Sequence, residues 1–241
     1  NERISNKSIS KERISMSTMN LSLKDGIHIL TLNNAANDNT FTTEVMNEYI
    51  AAFDEIENHK GNGALIITCE DEKTFSTGIN LAWLGEQSAQ GQAAFMQAFH
   101  TMLCRFALIN IPTIIAINGN AYAGGAILAS GADFRLMRKD RGRFCFPEVN
   151  IPLPFTPVTR SLVSLLPNKQ ALKNMLLTGI AYTGIEAEAL NIVDSIHPAD
   201  ELQISAFKLA KMLATKDRTI YSVIRNDMRP EIQTLLKELT G

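Results

Sequence analysis

The sequence predicts an α/β core with a helical C-terminal extension. Short apolar runs alternate with segments of helical period through the first two-thirds of the chain, and from Thr159 onward the pattern is almost wholly helical. No self-similarity at a period of 20–50 residues points to a solenoid or propeller. The elements follow in order. Gly26–Leu32 (GIHILTL) alternates and reads as a strand, and Asn33–Asn39 is an Asn/Ala/Asp loop. Phe41–Glu57 carries Met46, Tyr49, Ile50, Phe53 and Ile56 at helical spacing, and Gly61-Asn62-Gly63 ends that unit. Ala64–Cys69 (ALIITC) is a buried strand and Asp71–Gly78 a loop. Gln92–Leu108 is a helix with Phe95, Phe99, Met102, Leu103 and Phe106 on one face. Thr113–Ile117 is a strand, followed by the glycine turn Asn118-Gly119-Asn120-Ala121-Tyr122-Ala123-Gly124-Gly125 and a helix of small residues, Ala126–Ala132. Asp133–Met137 is another strand. Residues 85–94 (GEQSAQGQAA) read either as a mobile cover over a pocket or as an ordinary surface loop.

At 241 residues the chain fits one domain with an appendage, and 45% hydrophobic against 20% charged residues are enough for a sizeable core. A formal net charge of −2 and a pI near 6.1 argue against a nucleic-acid or membrane-surface protein. The longest apolar stretch, Ile109–Ala132, is broken by Pro112, Asn118, Asn120 and glycines, so it is not a membrane span. Cys69, Cys104 and Cys145 are odd in number and far apart, which suits a reducing compartment; no pair has metal-ligand spacing, and the four histidines are scattered, so no metal site is expected. The polar, Ser-rich start lacks the apolar region of a secretory signal, and residues 1–18 read as a flexible leader. The C-terminal Leu239-Thr240-Gly241 is not the peroxisomal tripeptide, and a cytoplasmic location is expected.

Two glycine turns follow buried strands: Phe75-Ser76-Thr77-Gly78-Ile79-Asn80-Leu81 and Ala123-Gly124-Gly125. If their strands are neighbours, one N–H from each converges on a single oxygen and stabilises an enolate formed from a thioester. Each turn alone is equally well explained by a glycine kept for a tight turn or close packing. Glu148 sits among Phe144, Phe146, Pro147, Val149, Ile151, Leu153 and Phe155. Such surroundings raise a carboxylate's pKa toward neutrality, as a general base requires; a surface Glu at a strand end is the plainer account. Asn80 either binds substrate or holds its turn. Trp83, Phe95 and Phe99 either line a pocket or pack the core. Arg135, Arg138, Lys139, Arg141 and Arg143 form a basic cluster, which could meet a phosphate, a partner subunit or RNA, and which Asp140 interrupts as in a solvated turn.

With both turns and the Glu in this order, the chain resembles the crotonase (enoyl-CoA hydratase/isomerase) superfamily from about residue 20 to its end. FSTGINL is similar to the family's F-x-x-G-x-[DN]-[LI] segment, INGNAYAGGAILASGADFRL to its N-G-x-A-x-G-G segment, and LLTGIAYTGIEAEALNIVDSI to the signature before its C-terminal helices. MRKDRGRFCFPEVNIPLPF is most similar to the peroxisomal-type Δ3,Δ2-enoyl-CoA isomerase branch. The resemblance implies a crotonase-type spiral of ββα units over residues 19–180 and a C-terminal helical oligomerisation region over 181–241, assembled as a homotrimer or hexamer. It implies Ile79 and Gly124 as oxyanion N–H donors and Glu148 as the acid/base. Ser76, Thr77, Gly78, Asn80, Leu81, Gly125 and Pro147 are the implied acyl-CoA-binding residues. No cofactor is implied, CoA being part of the substrate. The family's hydratases carry a first glutamate where this chain has Ile127, which favours isomerisation of 3-enoyl-CoA to 2-enoyl-CoA in fatty-acid degradation. Dienoyl-CoA isomerases carry an Asp where this chain has Thr156. Pro152 and Pro154 depart from the small flexible residue of relatives and reshape the acyl pocket. The alternatives are an enoyl-CoA hydratase or other acyl-CoA lyase, and a non-catalytic CoA- or RNA-binding member.

Overall fold

The computed structural model describes residues 13–151 and 153–241. Strands β1 (Arg13–Ser15), β2 (Met19–Lys24) and β3 (Ile27–Leu32) form an antiparallel meander. Helix α1 (Thr43–Asn58) starts at the Thr42 cap, with Glu44 in its first turn, and buries Val45, Met46, Tyr49, Phe53 and Ile56. Three ββα units follow. In the first, β4 (Ala64–Cys69) and β5 (Thr74–Ser76) lead to α2 (Leu81–Gly85) and α3 (Ala89–Leu108). In the second, β6 (Thr113–Ile117) and β7 (Asn120–Tyr122) lead to α4 (Gly124–Ser130). In the third, β8 (Phe134–Arg138) and β9 (Arg143–Cys145) lead to α5 (Pro157–Val163) and α6 (Lys169–Thr178). The remainder is β10 (Ala181–Thr183), α7 (Gly184–Ala189), β11 (Ser195–His197), α8 (Ala199–Leu213), α9 (Arg218–Asp227) and α10 (Pro230–Thr240).

In each unit the first strand joins one sheet and the second joins another. The larger sheet runs β1-β2-β3-β4-β6-β8-β11, parallel from β3 on, and the smaller runs β10-β9-β7-β5. This is the spiral of ββα units expected of the crotonase fold. The central strands are continuous apolar runs because both faces are covered. Leu65, Ile67, Ile115 and Ile117 face the main core, while Ile66, Ile114, Ala116 and Leu136 pack against Leu202, Ala206, Ala210 and Leu213 of α8. The last two helices are pinned by buried guanidinium groups. Arg229 bonds Asp133 at 2.9 Å and the Gly131 carbonyl at 3.1 Å, at the C-terminal end of α4; Arg225 bonds the Ile111 carbonyl at 3.0 Å.

Several sequence readings need correcting. Of the leader assigned to residues 1–18, residues 1–12 lie outside the described residues. Within 13–18 the chain forms β1, paired antiparallel to β2, and Ser17 and Thr18 bond the Glu48 carboxylate, so residues 13–18 belong to the fold. The boundary at 180 is crossed by both sheets, since β10 pairs with β9 and β11 with β8. The region from 181 is therefore tied into the core, and not wholly helical. The loop assigned to 71–78 contains β5, and residues 89–94 of the presumed loop are already helix, capped by the Ser88 hydroxyl on the Gly91 N–H at 3.1 Å. No helix among the described residues is long and apolar enough to cross a membrane.

Candidate active site

Strands β5 and β7 are neighbours in the small sheet, so the two glycine turns that leave them meet. Gly78 has φ +84, and a Cβ placed there would lie 2.4 Å from the Gly124 nitrogen. Only glycine permits both that conformation and that approach. A Cβ on Gly125 would lie 2.2 Å from the Ser76 carbonyl oxygen, so this glycine serves close packing of α4 on β5. At the start of the second turn, Ala123 holds φ 48 and ψ −124, a region that L-residues avoid. Such backbone costs on the order of 1–3 kcal/mol and persists where the surroundings over-determine it. Here the Ala123 N–H donates to the Cys145 carbonyl at 3.1 Å, and its carbonyl accepts from Ile127 N–H at 2.9 Å. Neither the Ile79 nor the Gly124 N–H donates to an acceptor among the described residues.

These amides border a cavity of about 480 Å³. Its wall takes Thr77, Ile79, Leu81, Gly124 and Glu148 from the sequence-predicted set. Ser76, Gly78, Asn80, Gly125 and Pro147 stand behind the wall. The Ser76 hydroxyl bonds the Asn39 carbonyl, and the Asn80 side chain caps α2 by accepting from Trp83 N–H at 3.0 Å. Pro147 starts a single 3-10 turn, Glu148–Asn150, which points Glu148 inward while Val149 stays exposed. Leu84, Ala89, Ala93, Met96 and Phe99 of α2 and α3 line the cavity together with Leu153–Thr156 and Thr159; Ile127 lies in the wall near Gly124.

Glu148 is the one ionisable side chain in the cavity wall among the described residues. It is 4% exposed, and its Oε2 has no hydrogen-bond partner there. Burial pushes its pKa from 4.5 up to about 7, with its own backbone N–H opposing in part. Thr156 lines the wall with its hydroxyl 3.1 Å from His100 Nε2 and 3.1 Å from the Thr159 hydroxyl. Pro152 lies outside the described residues; Pro154 is in the wall.

The other singled-out groups do not converge here. Phe99 lines the cavity, while Phe95 stacks behind it and Trp83 meets Phe95 edge-on. Three of the five cations in the basic cluster are paired locally. Arg135 meets Asp194 at 3.3 Å, Arg138 meets Asp140 at 2.8 Å and Glu72 at 3.5 Å, and Arg141 meets Glu72 at 3.7 Å. Phe41 presses on the site unannounced by the sequence: a Cβ on Gly124 would lie 3.0 Å from its ring.

A family model described as Enoyl-CoA hydratase/isomerase matches residues 22–240. The chain is 30% identical over 220 residues to a protein named Enoyl-CoA delta isomerase 3 of Arabidopsis thaliana, covering 88% of this chain and 92% of that one. It is 31% identical over 198 residues to a Putative enoyl-CoA hydratase of Thermus thermophilus, covering 79% and 76%. Among solved structures, an enoyl-CoA hydratase/isomerase family protein from Pseudomonas syringae superposes with a TM-score of 0.84 at 23% identity, over 92% of this chain and 94% of that one. This last likeness is one of fold.

Proposed function

The chain belongs to the enoyl-CoA hydratase/isomerase family, and from that premise we propose that it isomerises 3-enoyl-CoA to 2-enoyl-CoA. The observation that carries this reading is a cavity with two backbone N–H groups and a single carboxyl group left without partners among the described residues. The Glu148 carboxylate takes the proton from C2. The C–H electron pair becomes the C1–C2 double bond, and the thioester oxygen takes the negative charge, stabilised by the Ile79 and Gly124 amides. Collapse of the enolate forms the C2–C3 double bond, and the former C3–C4 π electrons accept the proton from Glu148 at C4. The step is redox-neutral and needs one proton carrier, so CoA within the substrate is the only non-protein group it calls for. Thr77 and Leu81 border the acyl thioester; Ser76, Gly78, Asn80, Gly125 and Pro147 act on the shape of the site.

Hydration is the second reading, favoured by relatives with hydratase names. It needs an activated water, and the position beside Gly124 that would hold it is taken by Ile127, an apolar side chain in the wall. In the isomerase reading the protein works in fatty-acid degradation, in the cytoplasm, with its three cysteines free. We further propose that residues from 181 on mediate a homotrimer, alone or paired into a hexamer. The exposed Ile204 and Met212 of α8, and Ile220, Val223 and Ile224 of α9 with Met228 just after it, support this. Light scattering is expected to give three or six times the 26.6 kDa chain mass; a monomer at micromolar concentration contradicts it.

The pH profile tests the chemistry. Only the ionised carboxylate removes the C2 proton, and its pKa stands near 7. The kcat/KM for 3-enoyl-CoA is therefore expected to rise about tenfold per pH unit below 7 and to level off above it. A profile flat from pH 5 to 8 would remove Glu148 as the base.

A further inference from the structure

We propose that the loop over 34–41 is a positioning device for the Ile79 amide, with Asn39 and Ser76 as its working side chains. This assignment rests on the isomerase reading, in which that amide polarises the thioester.

A peptide unit is planar, so its C=O and the next residue's N–H point in opposite directions. The Gly78 carbonyl accepts from the Phe41 N–H at 2.8 Å, which aims the Ile79 N–H away from the loop and toward the cavity side. The peptide before it is held as well: the Gly78 N–H donates to Ser76 Oγ at 3.2 Å. The Ser76 hydroxyl in turn donates to the Asn39 carbonyl at 2.8 Å, so one buried hydroxyl ties the turn to the loop. The loop adds the Asp38 carbonyl on Thr77 N–H at 3.2 Å and the Phe41 carbonyl on Asn80 N–H at 3.1 Å. Along Thr77–Asn80, every N–H but that of Ile79 is therefore bonded within the protein.

The loop is itself stiff. Asp38 and Asn39 are left-handed, at φ 50 and φ 49. The Asn39 side chain is buried; its Oδ1 accepts from the Asn34 N–H at 2.9 Å and its Nδ2 donates to the Thr74 carbonyl at 3.1 Å. Asp38 Oδ1 accepts from the Thr74 hydroxyl at 3.1 Å. Ser76 also sets the second turn, since its carbonyl seats against Gly125. Ser76 is fully buried and off the cavity wall, so it acts through the amides and not on substrate.

The test uses Ser76→Ala and Asn39→Gly. The second keeps the left-handed backbone and the carbonyl that Ser76 needs, but drops both side-chain bonds. Circular dichroism checks that each folds, so either variant alone can carry the result. Two readouts follow: kcat and KM taken separately for 3-enoyl-CoA, and the absorption of a bound 2,4-dienoyl-CoA, whose band moves to the red when its thioester oxygen accepts hydrogen bonds. A misaimed donor is expected to lower kcat about tenfold, short of the 10²–10³ for losing a donor outright, with KM changed by less than about threefold. The red shift is expected to shrink. Folded variants with wild-type kcat and a wild-type red shift overturn the positioning role, even if they melt earlier, because that pattern is purely structural. A wild type that gives no red shift removes the oxyanion reading, and the positioning role with it.

Discussion

Glu148→Gln is expected to bind acyl-CoA, keep its fold and lose 10²–10⁴-fold or more in kcat. No other ionisable side chain among the described residues reaches the cavity, so none can replace the lost base. The same substitution is expected to stabilise the protein at neutral pH. The Glu148 pKa is raised in the folded state, to about 7 from 4.5. The protonated group is tolerated in its apolar site, and stability is fully present below pH 4.5 and lost as pH rises through 7. That loss amounts to roughly 3 kcal/mol when the carboxyl is fully ionised. Glutamine does not titrate. The melting temperature of Glu148→Gln relative to wild type should therefore climb between pH 5 and 8 while activity stays low. Near-full isomerase activity would show that Glu148 is not the base, and a stability difference independent of pH would show that its carboxyl is not held in a raised-pKa state.

The parts of this molecule that chemistry dictates locally were legible in the sequence. Both glycine turns, the apolar strands Ala64–Cys69 and Thr113–Ile117 upstream of them and the Glu in apolar company could be read residue by residue. The structure adds that the turns touch. The sequence could not show this, because β5 and β7 are three residues each, too short for any period to register. Strand β2 alternates Met19, Leu21 and Leu23, but follows a polar, Ser-rich stretch of sequence that masks the start of the pattern. The cavity wall was obscured for another reason. Phe95 and Phe99 share one helical spacing, yet one is core and the other lines the pocket. The resemblance implies Ser76, Asn80, Gly125 and Pro147 as substrate-binding residues; in the structure Ser76 and Asn80 bond their own turns, Gly125 packs on Ser76, and Pro147 precedes the turn of Glu148. The motif marks where the site is, while tertiary contact decides which of its atoms face the cavity.

Relatives of this chain carry both isomerase and hydratase names, and the proposed choice of isomerisation turns on Ile127. An isoleucine in the wall beside Gly124 can neither hold a proton nor orient a water. In the proposed reaction its bulk would exclude water from the enolate, with return of the proton from Glu148 to C4 as the exit. A missing acid/base group costs on the order of 10²-fold or more, and hydration should suffer by that factor while isomerisation does not. Ile127→Glu should restore part of the hydratase activity, at a cost of several kcal/mol of stability for a carboxyl group in an apolar wall. The most direct measurement is the ratio of kcat/KM for 3-enoyl-CoA isomerisation to that for 2-enoyl-CoA hydration, on substrates of matched chain length. The predicted ratio is on the order of 10² or higher in favour of isomerisation; a ratio near one, or one favouring hydration, contradicts the isomerase.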